Sequence, residues 1–174
     1  MSAEQLLSEG RIEDALAELK QQIRKDASNA RYRTFLFQLL ALQGDWERAL
    51  TQLDVAGDLD PGTLPMVQTY REAIRCESLR AEIFAGRRAP LIFGDPKPWL
   101  ALVLEALQLT AAGQHDKAAP LREQAFAAAP ATAGKLNGQA FDWIADADMR
   151  LGPILEAIVN GSYYWIPFHR IRSI

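Results

Sequence analysis

The sequence lacks several features that would assign the chain to a functional class. It has one cysteine in 174 residues, Cys76, so no intrachain disulfide and no cysteine-based zinc site can form, which fits a reducing compartment. Its 19 Lys and Arg do not exceed its 22 Asp and Glu, which argues against nucleic-acid binding. Neither a signal peptide nor a long apolar run is found. We therefore predict a cytoplasmic protein that binds neither nucleic acid nor membrane.

Motifs of the common enzyme classes are also missing. The sequence contains no GxSxG elbow, no phosphate-binding GxxxxGK, no dinucleotide-binding GxGxxG and no zinc-binding HExxH. The two histidines, His115 and His169, are interpreted as surface residues and not as acid–base groups. We therefore expect no catalytic residue and no cofactor.

What the sequence does contain is an internal repeat of 34 residues, in which a glycine is followed by an alanine and a leucine at fixed spacing. A fixed period of this length is typical of helical-repeat proteins. A later segment has Gly113 and Ala118 at the same internal spacing as the earlier glycines and alanines. The pairs related by the offset are Gly10 and Gly44, Ala15 and Ala49, and Leu19 and Leu53.

Each unit is interpreted as a helix, a turn at the glycine, and a second helix whose alanine allows close approach. The segment 30–61 resembles a tetratricopeptide repeat, with a departure at Arg33, where that repeat has a tryptophan-like position. Residues 66–85 have the apolar period of one long helix, and the proline-rich segment after them reads as a loop. The predicted fold is mainly α, with a tetratricopeptide-like helical-repeat domain over residues 1–136.

The pattern changes after Pro130, and we place a domain boundary near residue 136. Residues 141–148 alternate with a period of two, which predicts a strand. Asn160-Gly161 joins two β-prone runs and predicts a type I′ hairpin. Residues 137–174 are therefore predicted to form a β-rich appendage of three antiparallel strands, which makes the chain α+β overall.

Two strings in this appendage, FDWIADADMRLGP and ILEAIVNGSYYWIPF, resemble the signature of the ImpE family, also called the TagJ or SciE-type family, of bacterial type VI secretion systems. The resemblance implies a noncatalytic adaptor that binds the amino-terminal segment of the small sheath subunit and assists the AAA+ ATPase that disassembles the sheath. It also implies that residues 137–174 begin a larger carboxyl-terminal domain. The signature residues are Trp143, Asp146, Asp148, Arg150, Gly152, Pro153, Tyr164, Trp165 and Pro167.

By analogy with tetratricopeptide repeats, a partner helix would lie in a groove lined by one face of the first helix of each unit. In the second unit this face carries Arg31, Thr34 and Gln38. In the third unit it carries Leu100, Val103 and Leu107, and the alternative is that these three residues are core beneath the long middle helix.

Two alternatives to the adaptor remain open. If residues 141–148 form a strand, Asp146 and Asp148 lie on one face and could hold a divalent cation in a small metal-dependent hydrolase. Otherwise they are solvent-side carboxylates, paired with Arg150, while Phe141 and Trp143 anchor the strand on the helices. The second alternative is a generic peptide-binding repeat module unrelated to secretion.

Overall fold

The computed structural model describes residues 1–173 of the chain, which form seven α-helices and five short strands. The helices are α1 (Ala3–Ser8), α2 (Ile12–Lys25), α3 (Ala30–Leu42), α4 (Trp46–Leu59), α5 (Leu64–Phe84), α6 (Pro98–Ala111) and α7 (His115–Ala128). The strands are β1 (Leu91–Ile92), β2 (Gly134–Leu136), β3 (Gln139–Phe141), β4 (Ile154–Val159) and β5 (Ser162–Pro167). The predicted fold class, mainly α with a small β appendage, is confirmed.

The chain divides into two compact units, and the division falls within α5. Unit 1 is Met1–Arg75, and unit 2 begins at Cys76. The boundary predicted near residue 136 stays a prediction. Helices and strands on the two sides of residue 136 contribute to one core in unit 2.

Unit 1 contains two helical hairpins, α1–α2 and α3–α4, which end their first helices in the same way. Gly10 and Gly44 adopt positive φ angles of 75° and 72°. The next residue in each case, Arg11 or Asp45, donates its N–H to the carbonyl five residues earlier, at 3.0 Å. This is the Schellman arrangement that satisfies the last carbonyls of a helix. The predicted turn glycines are therefore confirmed.

The small residues of the repeat lie where the second helix of each hairpin meets its neighbours. Ala15 and Ala49 are both 0% exposed.

Arg33, at the position that departs from the tetratricopeptide pattern, donates to the side-chain oxygen of Gln52 on α4 at 2.9 Å. The other buried residues of this core are mostly aliphatic, and they include Leu6, Leu16, Leu19, Ile23, Leu36, Phe37, Leu39, Leu40, Leu53, Val67 and Ile74.

Unit 2 repeats the hairpin once, in α6–α7. Gly113 has a φ angle of 73°, and Ala118 is 0% exposed. Its core differs from that of unit 1 because aromatic side chains of the sheet join it. The buried members are Cys76, Ile83, Trp99, Leu100, Val103, Leu107, Ala125, Leu151, Ile154, Tyr163 and Trp165.

The predicted hairpin at Asn160-Gly161 is confirmed. Both residues have positive φ angles, 49° and 73°, as a type I′ turn requires. It joins β4 to β5 in antiparallel register, with Glu156 opposite Trp165. A second turn of this kind, at Asn137-Gly138, joins β2 to β3 in a separate two-stranded sheet that the sequence analysis missed.

The strand predicted over residues 141–148 is wrong. Only Phe141 belongs to a strand, β3, and the residues after it form an irregular loop. The third strand of the sheet is instead β1, which comes from the proline-rich loop and runs parallel to β5 in the order β1-β5-β4. The period of two in the sequence therefore did not correspond to a strand.

Within residues 1–173 we find no helix of sufficient length and apolar character to span a membrane.

Candidate partner-binding surfaces

The three residues predicted to face a partner on α3 line one cavity of unit 1. Arg31, Thr34 and Gln38 surround a space of about 250 Å³, which we call the α3 cavity. Arg31 and Gln38 are exposed, and Thr34 is partly buried. The remaining lining residues come from α3, from the turn after α4 and from the start of α5: Ala30, Phe35, Asp60, Thr63 and Met66.

Local structure aims these side chains away from the core. Asn29 caps α3 by accepting the N–H of Arg31 on its side-chain oxygen at 3.1 Å. Positions 31, 34 and 38 then follow the three- and four-residue spacing that places side chains on one helical face. The opposite face carries Leu36, Phe37 and Leu40, which are at most 6% exposed. The division of α3 into a buried and an open face is thus set by its own sequence.

The α3 cavity combines two opposite charges, Arg31 and Asp60, and an amide and two hydroxyls with the apolar side chains of Phe35 and Met66. The hydroxyl of Thr34 donates to the carbonyl of Ala30 at 3.0 Å, so it is held by its own helix. Arg31 has no ion pair within residues 1–173. Its guanidinium can therefore bind a carboxylate of a partner, while Phe35 and Met66 provide apolar contact.

The corresponding prediction for the third unit is wrong, because its three residues lie in the core. Leu100, Val103 and Leu107 are 1%, 2% and 3% exposed. They belong to the cluster that contains Ile83 of α5 and Trp165 of β5. The alternative interpretation, that they are core residues, agrees with this burial, and they cannot line a groove.

The loop between β3 and β4 contains most of the ImpE-like signature and is held by its own carboxylates. Asp146 donates its N–H to the carbonyl of Gly152 at 2.7 Å. The side chain of Asp146 accepts the N–H of Asp148 at 2.7 Å, and that of Asp148 accepts the N–H of Arg150 at 2.9 Å. We call residues 142–153 the signature loop. Its backbone path is fixed by these bonds although it has no regular secondary structure.

The side chains of Asp148 and Arg150 form an ion pair in this loop, with Nη2 and Oδ2 at 2.6 Å. The hydrogen bonds from the Arg150 side chain lower the pKa of Asp148 most, and the backbone N–H of Arg150 adds to the effect. Both oxygens of Asp148 are thus engaged. Within residues 1–173 no group of three or more His, Cys, Asp or Glu side chains could hold a metal ion. The geometry therefore gives no support to the hydrolase alternative.

Arg150 also connects the signature loop to α5. Its guanidinium carbon lies 4.4 Å from the ring centroid of Phe84, and that of Arg80 lies 4.5 Å from the same centroid. Cations over an aromatic face are attracted by the quadrupole of the ring. Phe84 in turn contacts Trp165 edge-on, with centroids 6.2 Å apart. The loop, the helix and the hairpin therefore meet at one aromatic residue.

Arg80 extends this set of contacts into the sheet. It donates two hydrogen bonds to the carboxylate of Glu156, at 2.7 and 2.9 Å. Tyr163 donates its hydroxyl to Glu156 and accepts the indole N–H of Trp165 at 2.9 Å. Burial, and then the bond to Glu156, raise the pKa of Tyr163. Sequence reasoning missed the contact between Arg80 and Glu156, because no local pattern links residues 76 positions apart. It also missed Phe84, whose contacts with Arg150 and Trp165 are distant in sequence.

The other signature residues divide between the core and the surface. Trp165 and Pro167 are buried, Gly152 is buried with a φ angle of 55°, and Tyr164 packs edge-on against Phe93. The carbonyl of Pro153 accepts the N–H of Phe168 at 3.0 Å, and Trp143 is 69% exposed. The expectation that Trp143 anchors this segment on the helices is therefore wrong, because the segment is a loop that turns this side chain to solvent.

Comparisons with known proteins agree with this architecture. Residues 138–174 match the family described as ImpE protein, and residues 6–74 match the tetratricopeptide repeat family. The chain is 56% identical, over all 174 residues, to the type VI secretion system accessory component TagJ of Pseudomonas aeruginosa. The resemblance to the ImpE family is confirmed. The ImpE match covers β3, the whole signature loop and both strands of the Asn160-Gly161 hairpin.

Both proteins that this chain matches along its length are longer than it. The chain spans 62% of the length of the Pseudomonas protein that it matches. A crystal structure of protein VPA1032 from Vibrio parahaemolyticus superposes with a TM-score of 0.86 at 25% identity, over 96% of this chain and 63% of that one. The fold described above is therefore also found in an experimentally determined structure.

Proposed function

We propose that the chain is a noncatalytic adaptor of a bacterial type VI secretion system, acting in the cytoplasm. The observation that carries the proposal is the α3 cavity, an open and partly polar surface in the part of the chain that matches tetratricopeptide repeats. The name of the Pseudomonas relative, an accessory component of that system, supports the assignment to secretion.

The proposed partner is the amino-terminal segment of the small sheath subunit, bound as an amphipathic helix. Such a helix can place apolar side chains against Phe35 and Met66, and a carboxylate against Arg31. Grooves of this kind gain most of their affinity from a few apolar anchors, and charged contacts at the rim select the partner. By holding the sheath subunit, the adaptor would assist the AAA+ ATPase that disassembles the sheath.

Calorimetric titration with a synthetic peptide of the sheath segment tests this assignment. We expect Arg31→Ala and Gln38→Ala each to weaken binding, by roughly five- to tenfold for a contact worth about 1 kcal/mol or slightly more. Arg24→Ala is the matched control, since Arg24 is an exposed cation of α2 outside the cavity. Equal binding of a scrambled peptide would favour a generic peptide-binding module, and an equal loss in the Arg24 variant would show that binding is not specific to the α3 cavity.

The role beside the ATPase needs a separate measurement. Contracted sheaths are mixed with the ATPase, and their disassembly is followed by light scattering with and without the adaptor. We expect the wild-type protein to accelerate disassembly and Arg31→Ala to accelerate it less. If peptide binding is intact but disassembly is unchanged by the adaptor, sheath binding stands and assistance to the ATPase is rejected.

A further inference from the structure

A second open cavity lies in unit 2, and none of the roles above uses it. It has a volume of about 420 Å³, and we call it the signature-loop cavity. One wall is the end of α7 with the residues that follow it, and the other is the signature loop. The lining residues are Phe126, Ala129, Pro130, Ala131, Trp143, Ile144, Ala145, Asp146, Ala147, Met149, Gly152 and Pro153.

Three of the largest apolar side chains at this cavity are open to solvent. Trp143 is 69% exposed, Met149 is 62% exposed and Ile144 is 38% exposed. Isolated exposed apolar residues are ordinary, but here three of them share one cavity. Tryptophan and methionine are also enriched at protein–protein interfaces, where tryptophan often provides a large part of the binding energy.

The backbone that carries these side chains is already ordered. Asp146 and Gly152 close the loop with a hydrogen bond of 2.7 Å, and the Asp148–Arg150 pair holds its middle. At the base, Phe126 packs so closely on Gly152 that a Cβ there would lie 2.3 Å from its Cζ atom. A partner that binds here would not have to order the loop, which removes one of the main penalties of association.

The charge at the cavity distinguishes between possible occupants. Among the described residues that line the cavity, Asp146 alone is ionisable. In the portion that the structure describes, Asp148 is paired with Arg150, whereas Asp146 has no ion pair. A carboxylate beside apolar walls attracts a cation and repels an anion more strongly than it would in open water. The complementary ligand is therefore both apolar and cationic.

We propose that the signature-loop cavity docks a partner protein through a short segment in which large apolar side chains flank a lysine or arginine. The apolar side chains lie against Trp143 and Met149, and the cation pairs with Asp146. This docking is independent of the α3 cavity, which belongs to unit 1. The chain would thus have two binding surfaces of different chemistry.

The probes for the test are two short synthetic amphipathic helices with the same leucine pattern, one bearing lysine and the other glutamate. Binding is measured by fluorescence anisotropy of the labelled peptides. We expect the lysine peptide to bind at least about tenfold more tightly than the glutamate peptide. Asp146→Asn should abolish most of this preference, and it keeps the side-chain oxygen that accepts the N–H of Asp148.

Matched variants separate docking at this site from general attraction to an acidic protein. Asp58→Asn removes one exposed charge from α4, and Leu42→Ser removes an exposed apolar side chain from α3. Both should leave binding of the lysine peptide unchanged, whereas Trp143→Ser and Met149→Ser should weaken it by roughly fivefold or more. Because Trp143 and Met149 are exposed, these changes should leave the circular dichroism spectrum unaltered.

Three results would overturn the proposal. The first is equal affinity of the two peptides for the wild-type protein. The second is an effect of Asp58→Asn as large as that of Asp146→Asn. The third is a wild-type dimer, measured by light scattering, that Trp143→Ser converts to a monomer, because the occupant would then be a second copy of the chain.

Discussion

Units 1 and 2 contain the same helical hairpin but are stabilised in different ways. In unit 1 the core consists mostly of aliphatic side chains from helices that follow one another in the chain. In unit 2 the core draws Ile83, Trp99 and Trp165 from three segments that are distant in sequence. Arginine–carboxylate and arginine–aromatic contacts surround that core. A repeat period can specify the first kind of packing but not the second, which depends on individual pairs.

Stability should fall most when a fully buried side chain is removed from the core of each unit. Trp165 and Leu53 are both 0% exposed. Trp165→Ala should lower the free energy of unfolding by about 4 kcal/mol and Leu53→Ala by about 3 kcal/mol, because each leaves a cavity. Urea unfolding followed by circular dichroism measures both. If Trp165→Ala lowers the free energy of unfolding much less than Leu53→Ala does, the aromatic core of unit 2 contributes less to stability than its burial indicates.

Two glycines with similar backbone angles give the next contrast. A Cβ at Gly44 would meet nothing within 4 Å, whereas at Gly152 it would collide with Phe126. Gly44→Ala should therefore cost only the strain of a positive φ angle, about 1 kcal/mol, and Gly152→Ala about 3 kcal/mol. The midpoints of urea unfolding give the comparison. Equal losses would mean that Phe126 moves aside freely and does not fix the base of the signature loop.

Two arginine–carboxylate pairs that differ in exposure test whether partial burial increases the contribution of such a pair to stability. Arg80 and Glu156 are 37% and 21% exposed, and Arg71 and Asp54 are 37% and 52% exposed. Arg80→Met should lower the free energy of unfolding by about 1 kcal/mol, since Glu156 would keep only its bond from Tyr163. Arg71→Met should have no measurable effect, because water screens its pair. Equal changes in the free energy of unfolding for the two variants would show that the Arg80–Glu156 contact adds no more stability than an exposed pair.

A smaller change in stability is expected at alkaline pH, where Tyr163 ionises. The pKa of Tyr163 is raised in the folded protein, so folding favours its protonated form. This contribution to stability is complete below the ordinary tyrosine pKa of about 10 and decreases as the pH rises above it. Ultraviolet absorbance should therefore show a tyrosine that ionises well above the ordinary pKa of about 10. Tyr163→Phe should remove this late ionisation, and its persistence in the variant would assign it to another residue.

The sequence predicted the parts of the fold that local chemistry determines. Gly44 and Gly113 could be recognised because a helix that turns back needs a residue with a positive φ angle. Asn160-Gly161 could be recognised for the same reason. The loop over residues 142–153 was mistaken for a strand, because its path depends on hydrogen bonds to Asp146 and Asp148 that alternation does not reveal. The contact of Arg80 with Glu156 had no local signal.

Among the candidate sites, too, only features determined by local sequence could be predicted. Arg31, Thr34 and Gln38 could be placed on one face of α3 because helical spacing alone decides which residues share a face. Whether Leu100 and Val103 are open depends on what packs against α6, and in the structure they are buried. The signature-loop cavity could not be predicted, since it exists only where a loop and the end of α7 come together.

Binding of the sheath segment to the open face of α3 can be located by hydrogen exchange measured with mass spectrometry. The protein is compared with and without the synthetic sheath peptide. We expect slower exchange in fragments covering residues 30–38 and 60–66, which line the α3 cavity, and no change around residues 141–153. Protection confined to residues 141–153, or no protection at saturating peptide, would show that the open face of α3 does not bind the sheath segment.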